Sequence, residues 1–218
     1  MRVAVIGHGP SPRGMGWGEQ IDSCDFVIRM FDCAWQESAD YGTRYDAGVV
    51  TMSYRSLRWF TQEATRKPKS WWVHREAGAW FPFSTAAPQA FMDTSEFRDS
   101  GLSILKDHKI AHNPSLFSLT RGTAAACWAI KTLSPHTLIM VGFDEVMSGQ
   151  YTPEPYSPEC LASMARRADF FEIKNALSQR PVSGLTKSDG HDMTVERLIL
   201  AHAARDYSVD LFTAQDVW

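Results

Sequence analysis

The fold is decided by the first ten or so residues, Arg2-Val3-Ala4-Val5-Ile6-Gly7-His8-Gly9-Pro10-Ser11. A short run of β-branched and small apolar residues stops abruptly at a glycine-rich turn. Apolar residues at successive positions, rather than at alternate ones, mark a strand buried on both faces, as in a parallel sheet. Glycine lets the backbone approach a neighbour or a ligand closely, and local amides together with the Ser11 hydroxyl suit a phosphate. The turn is not the dinucleotide fingerprint, because Pro12 stands where a third glycine is required. It is not a Walker loop either, since no Lys-Ser or Lys-Thr closes it.

Further strands are expected at Asp25–Met30, Asp46–Met52, Ser70–His74 and His136–Val141, with a last edge strand at Tyr207–Phe212. Helical spacing is found at Tyr54–Thr65, Phe97–Leu105, Thr123–Leu133, Pro158–Ser178 and Thr194–Ala204. The alanine run inside Thr123–Leu133 makes that helix the strongest of the five. Alternating strands and helices predict an α/β fold, a single Rossmann-like domain with a mostly parallel central sheet and helices on both faces. A chain of 218 residues suits one domain, expected to span 1–218, and needs no disulfide or metal to hold its core. Segment 181–190, PVSGLTKSDG, is polar and reads as a flexible lid loop.

Composition narrows the function classes. A net charge of −3 argues against a protein that coats nucleic acid, although a local basic face at Arg55, Arg58, Arg66, Lys67 and Lys69 leaves docking of a strand open. No apolar run reaches the roughly 18 residues of a membrane span, and the N-terminus lacks the pattern of a signal peptide. The four cysteines show no CxxC spacing. A cytoplasmic protein with free thiols is the expectation. The 8 Trp, 12 Phe and 6 Tyr are unusually numerous and are expected in the core and in cleft loops.

Two more segments carry chemistry. Thr120-Arg121-Gly122-Thr123 opens the alanine-rich helix. A helix N-terminus offers free amides and a field that favours a phosphate, while either threonine can serve simply as the cap. Gly190-His191-Asp192 precedes another helix, with Glu196 in its first turn. A histidine there suits a general base near neutral pH. Asp192 is a candidate cap, and Glu196 can orient the histidine, bind a hydroxyl or be an ordinary helix carboxylate. No HExxH and no D-x-D pair is present, so no metal site and no cofactor are expected.

Taken in order, these segments resemble the sialyltransferase family that contains the animal sialyltransferases and small bacterial and viral relatives. Val5–Ser11, Gly14-x-Gly16-x-Gly18-x-x-Ile21-Asp22-x-x-Asp25-Phe26-Val27-Ile28-Arg29-Met30 and Asp40-Tyr41-Gly42-Thr43-Arg44 are similar to its large motif. Thr120–Thr123 with Val141-Gly142-Phe143-Asp144 is similar to its small motif, and His191 to Glu196 to its very short motif. The resemblance implies a GT-A-like variant of the Rossmann fold and a metal-independent inverting transferase. Its donor would be a CMP-activated sugar, sialic acid or a related nonulosonate, and its acceptor a glycan or other hydroxyl. It implies His191 as catalytic base. Gly7, His8, Gly9, Pro10, Ser11, Arg29, Asp32, Thr120, Arg121, Gly122 and Thr123 would lie around the nucleotide sugar, and Asp144, Asp192, Glu196 and Trp80 on the supporting or acceptor side.

The family usually places asparagine at the positions of His8 and of Phe31-Asp32. Those departures motivate a first alternative, the same fold with another nucleotide sugar. A non-catalytic nucleotide- or glycan-binding module and a transferase acting on nucleic acid are the others, the last disfavoured by the acidic charge balance.

Overall fold

The computed structural model of the chain describes residues 1–7, 9, 11–30, 38–51, 70–74, 91–93, 95–111, 119–143 and 193–218. The opening run forms β1 (Arg2–Ile6), followed by α1 (Gly18–Asp22), β2 (Phe26–Met30), α2 (Ser38–Tyr41), β3 (Ala47–Thr51), β4 (Ser70–His74) and β5 (Phe91–Asp93). Next come α3 (Ser95–Asp107), α4 (Arg121–Trp128), β6 (Thr137–Val141), α5 (Met193–Asp206), β7 (Asp210–Thr213) and α6 (Ala214–Val217). The strands form one sheet of order β5-β4-β3-β2-β1-β6-β7, and every described pairing is parallel. The chain steps outward from β1 to β5, then returns to place β6 on the other side of β1. This is a Rossmann-like, GT-A-like α/β fold.

The absence of apolar–polar alternation in β1 has its reason in the two cores. Val3 and Val5 face one core with Ile28, Leu138 and Met140. Ala4 and Ile6 face the other with Val27, Ile139 and Val141. All of these side chains are buried. Each Val or Ile contributes on the order of 1.5–3 kcal/mol by leaving water, which only a sheet covered on both sides allows. The first core is closed by α3, α4 and α5 through Ile104, Leu105, Ala124–Ala126, Val195 and Ile199. The second is closed by Trp17, Ile21, Tyr41, Ala214 and the partly buried Trp218. Cys24 and Cys127 are buried free thiols.

Element bounds shift in ways local propensity does not encode. The alanine-rich helix begins two residues before Thr123, because Thr120 caps it through an acceptor contact from the Thr123 amide. Its end widens into a π-turn over Ala129–Leu133 that stops at Ser134, which has φ 46°, just before Pro135. Such a left-handed stop followed by proline is a common way to end a helix. The last strand starts at Asp210 rather than Tyr207, since α5 runs to Asp206 and a left-handed turn at Ser208 (φ 54°) intervenes. It is nevertheless the sheet edge, as expected. Four short elements, α1, α2, β5 and α6, were not foreseen; none is long enough to establish a period. The predicted helices Tyr54–Thr65 and Pro158–Ser178 and the lid 181–190 lie outside the described residues. Among the described residues no helix is long and apolar enough to cross a membrane.

Candidate functional site

In an open parallel sheet the chain leaves a crevice where its direction of travel reverses, beyond the carboxyl ends of the two strands that flank the reversal. Here those strands are β1 and β6, and the segments beyond them are the turn at Gly7 and Gly9 and the turn at Gly142 and Phe143. The two turns are stitched together. The Gly7 amide donates to the Val141 carbonyl at 2.7 Å, and the Gly9 amide to the Gly142 carbonyl at 2.8 Å. These amides continue the β1–β6 ladder. Both amides are thus engaged by the β6 side of the crevice, and Gly7 in addition supplies close approach. A Cβ on Gly7 would sit 2.5 Å from the Gly142 oxygen and 3.0 Å from Cε2 of Phe143.

The opposite edge of the same Phe143 ring lies against Gly122, where a Cβ would overlap Cε1 and Cζ. Phe143 thus fills the space between the turn after β1 and the first turn of α4. The ring sets the demand for glycine at Gly122, while at Gly7 the nearer obstacle is the Gly142 carbonyl.

The first turn of α4 is closed by a carboxylate. Glu196, on α5, is fully buried. Its Oε1 accepts from the Thr120 amide at 2.8 Å, and its Oε2 accepts from the Thr120 and Thr123 hydroxyls, each at 2.5 Å. Thr120 Oγ1 also accepts from the Thr123 amide at 3.3 Å. The expected phosphate-binding hydroxyls of Thr120 and Thr123 are therefore directed to an internal anion, which takes the favourable field of the helix end for itself. Glu196 binds hydroxyls, as one reading of the sequence allowed, but they are the protein's own. Beneath it, burial, reinforced by the nearby Glu196 carboxylate, pushes the Cys127 thiol far above its usual range, so Cys127 stays a thiol and is inert. Arg121 is partly exposed at the start of the helix, while Gly122 and Thr123 are buried.

Arg29, expected beside the nucleotide, is fully buried at the end of β2 next to Ile6. Its Nε donates to the Arg44 carbonyl at 2.8 Å and its Nη2 to the Tyr41 carbonyl at 2.6 Å. The guanidinium fork organises the 41–44 turn rather than opening toward a groove in these contacts. Asp22 accepts from the Thr43 and Arg44 amides at 2.7–2.9 Å and from the Thr43 hydroxyl at 2.8 Å. Burial works to raise the Asp22 carboxyl, but the bonds from Arg44 and Thr43 outweigh it and hold it below its ordinary value. Asp40 receives the amides of Gly14 and Gly16, and Arg44 pairs with Asp46 at 2.7 Å. The two parts of the large-motif-like segment are thus bound to each other.

The same architecture occurs in solved enzymes. Sialyltransferase CstII from Campylobacter jejuni in complex with the substrate analogue CMP-3FNeuAc superposes with a TM-score of 0.63 at 15% identity, over 97% of this chain and 81% of that one. CstII in complex with a trisaccharide acceptor and CMP gives a TM-score of 0.58 at 15% identity, over 98% and 80%. The apo form of an alpha-2,3-sialyltransferase from Campylobacter jejuni gives 0.58 at 14% identity, over 99% and 76%. This is a sialyltransferase-like fold. No family model matches the chain, and no curated protein matches it in sequence.

Within this sialyltransferase-like fold, Gly7 and Gly122 meet at Phe143, the Gly9 amide is bonded to Gly142, and Glu196 joins α5 to α4 through Thr120 and Thr123. Ser11 follows two residues after Gly9. His8, Pro10, Asp32, Trp80, Asp144, His191 and Asp192 lie outside the described residues. The sequence reading did not single out Phe143, Asp40 or Tyr41 as site residues. Asp40 and Tyr41 belong to the stretch similar to the large motif and Phe143 to the stretch similar to the small motif, and an aromatic directly after a strand-ending glycine is a further signal for Phe143. Among the described residues no group of three or more His, Cys, Asp or Glu side chains could hold a metal ion.

Proposed function

We propose that the protein is an inverting glycosyltransferase that moves a sugar, sialic acid or a related nonulosonate, from a CMP donor to the hydroxyl of a glycan acceptor without a metal. The observation that carries this reading is the crevice itself. A glycine turn after β1 and the first turn of α4 are locked side by side, in a fold shared with enzymes whose crystals hold CMP, a CMP-sugar analogue and a trisaccharide acceptor.

In the proposed reaction, His191 takes the proton of the acceptor hydroxyl as that oxygen attacks the anomeric carbon. The new carbon–oxygen bond forms as the bond to the phosphate oxygen breaks from the opposite face. The electron pair leaves on CMP. With the Thr120 and Thr123 hydroxyls engaged by Glu196, stabilisation of the leaving phosphate falls to Arg121 and Ser11. Segment 181–190 would close over the donor and exclude water.

The test compares the parent protein with His191→Ala. CMP binding is read by calorimetry, and CMP release from CMP-sialic acid is followed with a panel of glycan acceptors. The parent should bind CMP and release it in the presence of an acceptor. His191→Ala should lose roughly 10²–10⁴-fold in turnover, the usual size of a general-base contribution, while binding CMP within a few-fold. Binding without release over many acceptors would instead favour a non-catalytic module. A thermal-shift ranking headed by a uridine or other nucleotide would favour the same fold with another donor, the reading motivated by His8, Phe31 and Asp32.

A further inference from the structure

The turn that follows β1 is held from outside by two neighbouring residues of a different segment. The Tyr41 hydroxyl donates to the Gly9 carbonyl at 3.0 Å. The Asp40 carboxylate accepts the Gly14 amide at 2.8 Å and the Gly16 amide at 3.0 Å. Between these two points in the chain lies Ser11, the hydroxyl proposed above for the donor phosphate.

Within the turn Pro12 is buried and its carbonyl accepts the Met15 amide at 3.1 Å, which leaves the glycines around it to be held from outside. Gly9, Gly14 and Gly16 carry no side chain, and a Cβ on Gly14 or Gly16 would meet nothing within 4 Å. Both of these glycines sit at left-handed angles, φ 71° and 69°, which turn their amides toward the same carboxylate. A glycine loses the most backbone freedom when it is ordered, and Gly14 and Gly16 have no side chain with which to pack. The strap supplies the order. Its anchor is firm: Tyr41 is 1% exposed, and its own carbonyl is held by the buried Arg29 guanidinium at 2.6 Å. The amides of Gly7 and Gly9 are already bonded to β6, so the strap fixes the remaining carbonyl of Gly9 and the downstream half of the turn.

We propose that Tyr41 and Asp40 are positioning residues that set the Gly9–Gly16 turn in its nucleotide-binding shape before the nucleotide arrives. The proposal rests on the reading of this crevice as a nucleotide site. A turn ordered in advance binds more tightly because the ligand does not have to order it. Neither residue is assigned a contact with the ligand.

The test measures CMP affinity by calorimetry and melting temperature without ligand, for the full chain and three variants. Tyr41→Phe removes one hydroxyl and should weaken CMP about fivefold, the size of one net hydrogen bond. Asp40→Ala frees both glycine amides from a partly exposed position and should weaken it about tenfold. Asp216→Asn loosens the capping contacts of Thr213 at α6 and serves as the control. It should lower the melting temperature and leave CMP affinity unchanged. If Tyr41→Phe and Asp40→Ala melt earlier yet bind CMP within twofold of the parent, the strap is only structural and the proposal fails. If Tyr41→Phe does not fold, Asp40→Ala decides by the same criterion. A parent that binds no CMP overturns both the nucleotide reading and this proposal, and is told apart because the parent itself fails.

Discussion

Glu196 Oε2 accepts the hydroxyl of Thr123 at 2.5 Å, and both residues are completely buried. One carboxylate on α5 thereby closes the first turn of α4, 73 residues earlier in the chain. It meets the two threonine hydroxyls and the Thr120 amide. Removing it should be costly, because each buried donor left without an acceptor carries its full desolvation penalty. Glu196→Ala should destabilise the protein by about 3 kcal/mol, and Glu196→Gln, which keeps the shape and one carbonyl acceptor, by about half of that. In a chain of this size the first change corresponds to a fall of roughly 6–12 °C in melting temperature. Denaturant unfolding of both variants checks the order; equal stabilities for Ala and Gln would show that the hydrogen bonds contribute little.

Arg29 makes a second prediction. Its fork reaches two carbonyls, Arg44 and Tyr41, from a fully buried position. Lysine offers one ammonium with tetrahedral donors and cannot reproduce that planar pair. Arg29→Lys should therefore cost about 2 kcal/mol, although the charge is kept. The loss should be local first. Amide exchange should quicken over residues 38–44 while the core of β1 keeps its protection. Uniform loss of protection across the sheet would refute this assignment.

At Gly122 two effects oppose each other. Alanine is favoured over glycine by about 1 kcal/mol in a helix interior, an upper bound for Gly122 in the first turn. A Cβ here, however, overlaps the Phe143 ring. Overpacking of that kind costs about 1–3 kcal/mol, so Gly122→Ala should be net destabilising. Truncating the ring should reverse the sign. In Phe143→Ala the added methyl enters vacated space, and Gly122→Ala should then be neutral or stabilising. A double-mutant cycle reads the coupling directly; additivity would sink the idea that the ring sets the demand for glycine.

Asp22 predicts a pH dependence. Burial raises its carboxyl, but hydrogen bonds from Arg44 and Thr43 and the charge of Arg29 bring it below the ordinary 3.8. A group whose folded value lies below its unfolded one binds more protons when unfolded. Its stabilisation is fully present above 3.8 and is lost as pH falls through the lower folded value. Asp22→Asn should be less stable near neutral pH and should lose less on acidification below 3.8 than the parent does. Stability curves for the two proteins that stay parallel down to strong acid would contradict this.

Much of the architecture was legible because it rests on local pattern. The doubly buried runs of β1 and β6 announced parallel strands, and Ala124–Ala126 announced a helix able to lie close against them. The two long described helices were placed to within a turn. The short elements α1, α2, β5 and α6 were not, since three to five residues show no period and are held by tertiary contacts. Gly18 is an example: a Cβ there would strike the backbone of Ser38 and Ala39, a contact between α1 and α2 that no local rule anticipates.

The candidate site divides along the same line. The amino-acid sequence by itself named the segments: the glycine turn, Thr120–Thr123, the Asp40–Arg44 stretch and the helix bearing Glu196. Their residue types and order are properties of the chain. Only the tertiary structure decided what each group bonds to. It turned the Gly7 and Gly9 amides into the β6 ladder, gave the threonine hydroxyls to Glu196 and buried Arg29 on backbone carbonyls. The reason is physical. A hydroxyl, an amide or a guanidinium has the same capacity for a phosphate as for an internal partner, and burial forces it to take whichever acceptor the packed fold brings within reach.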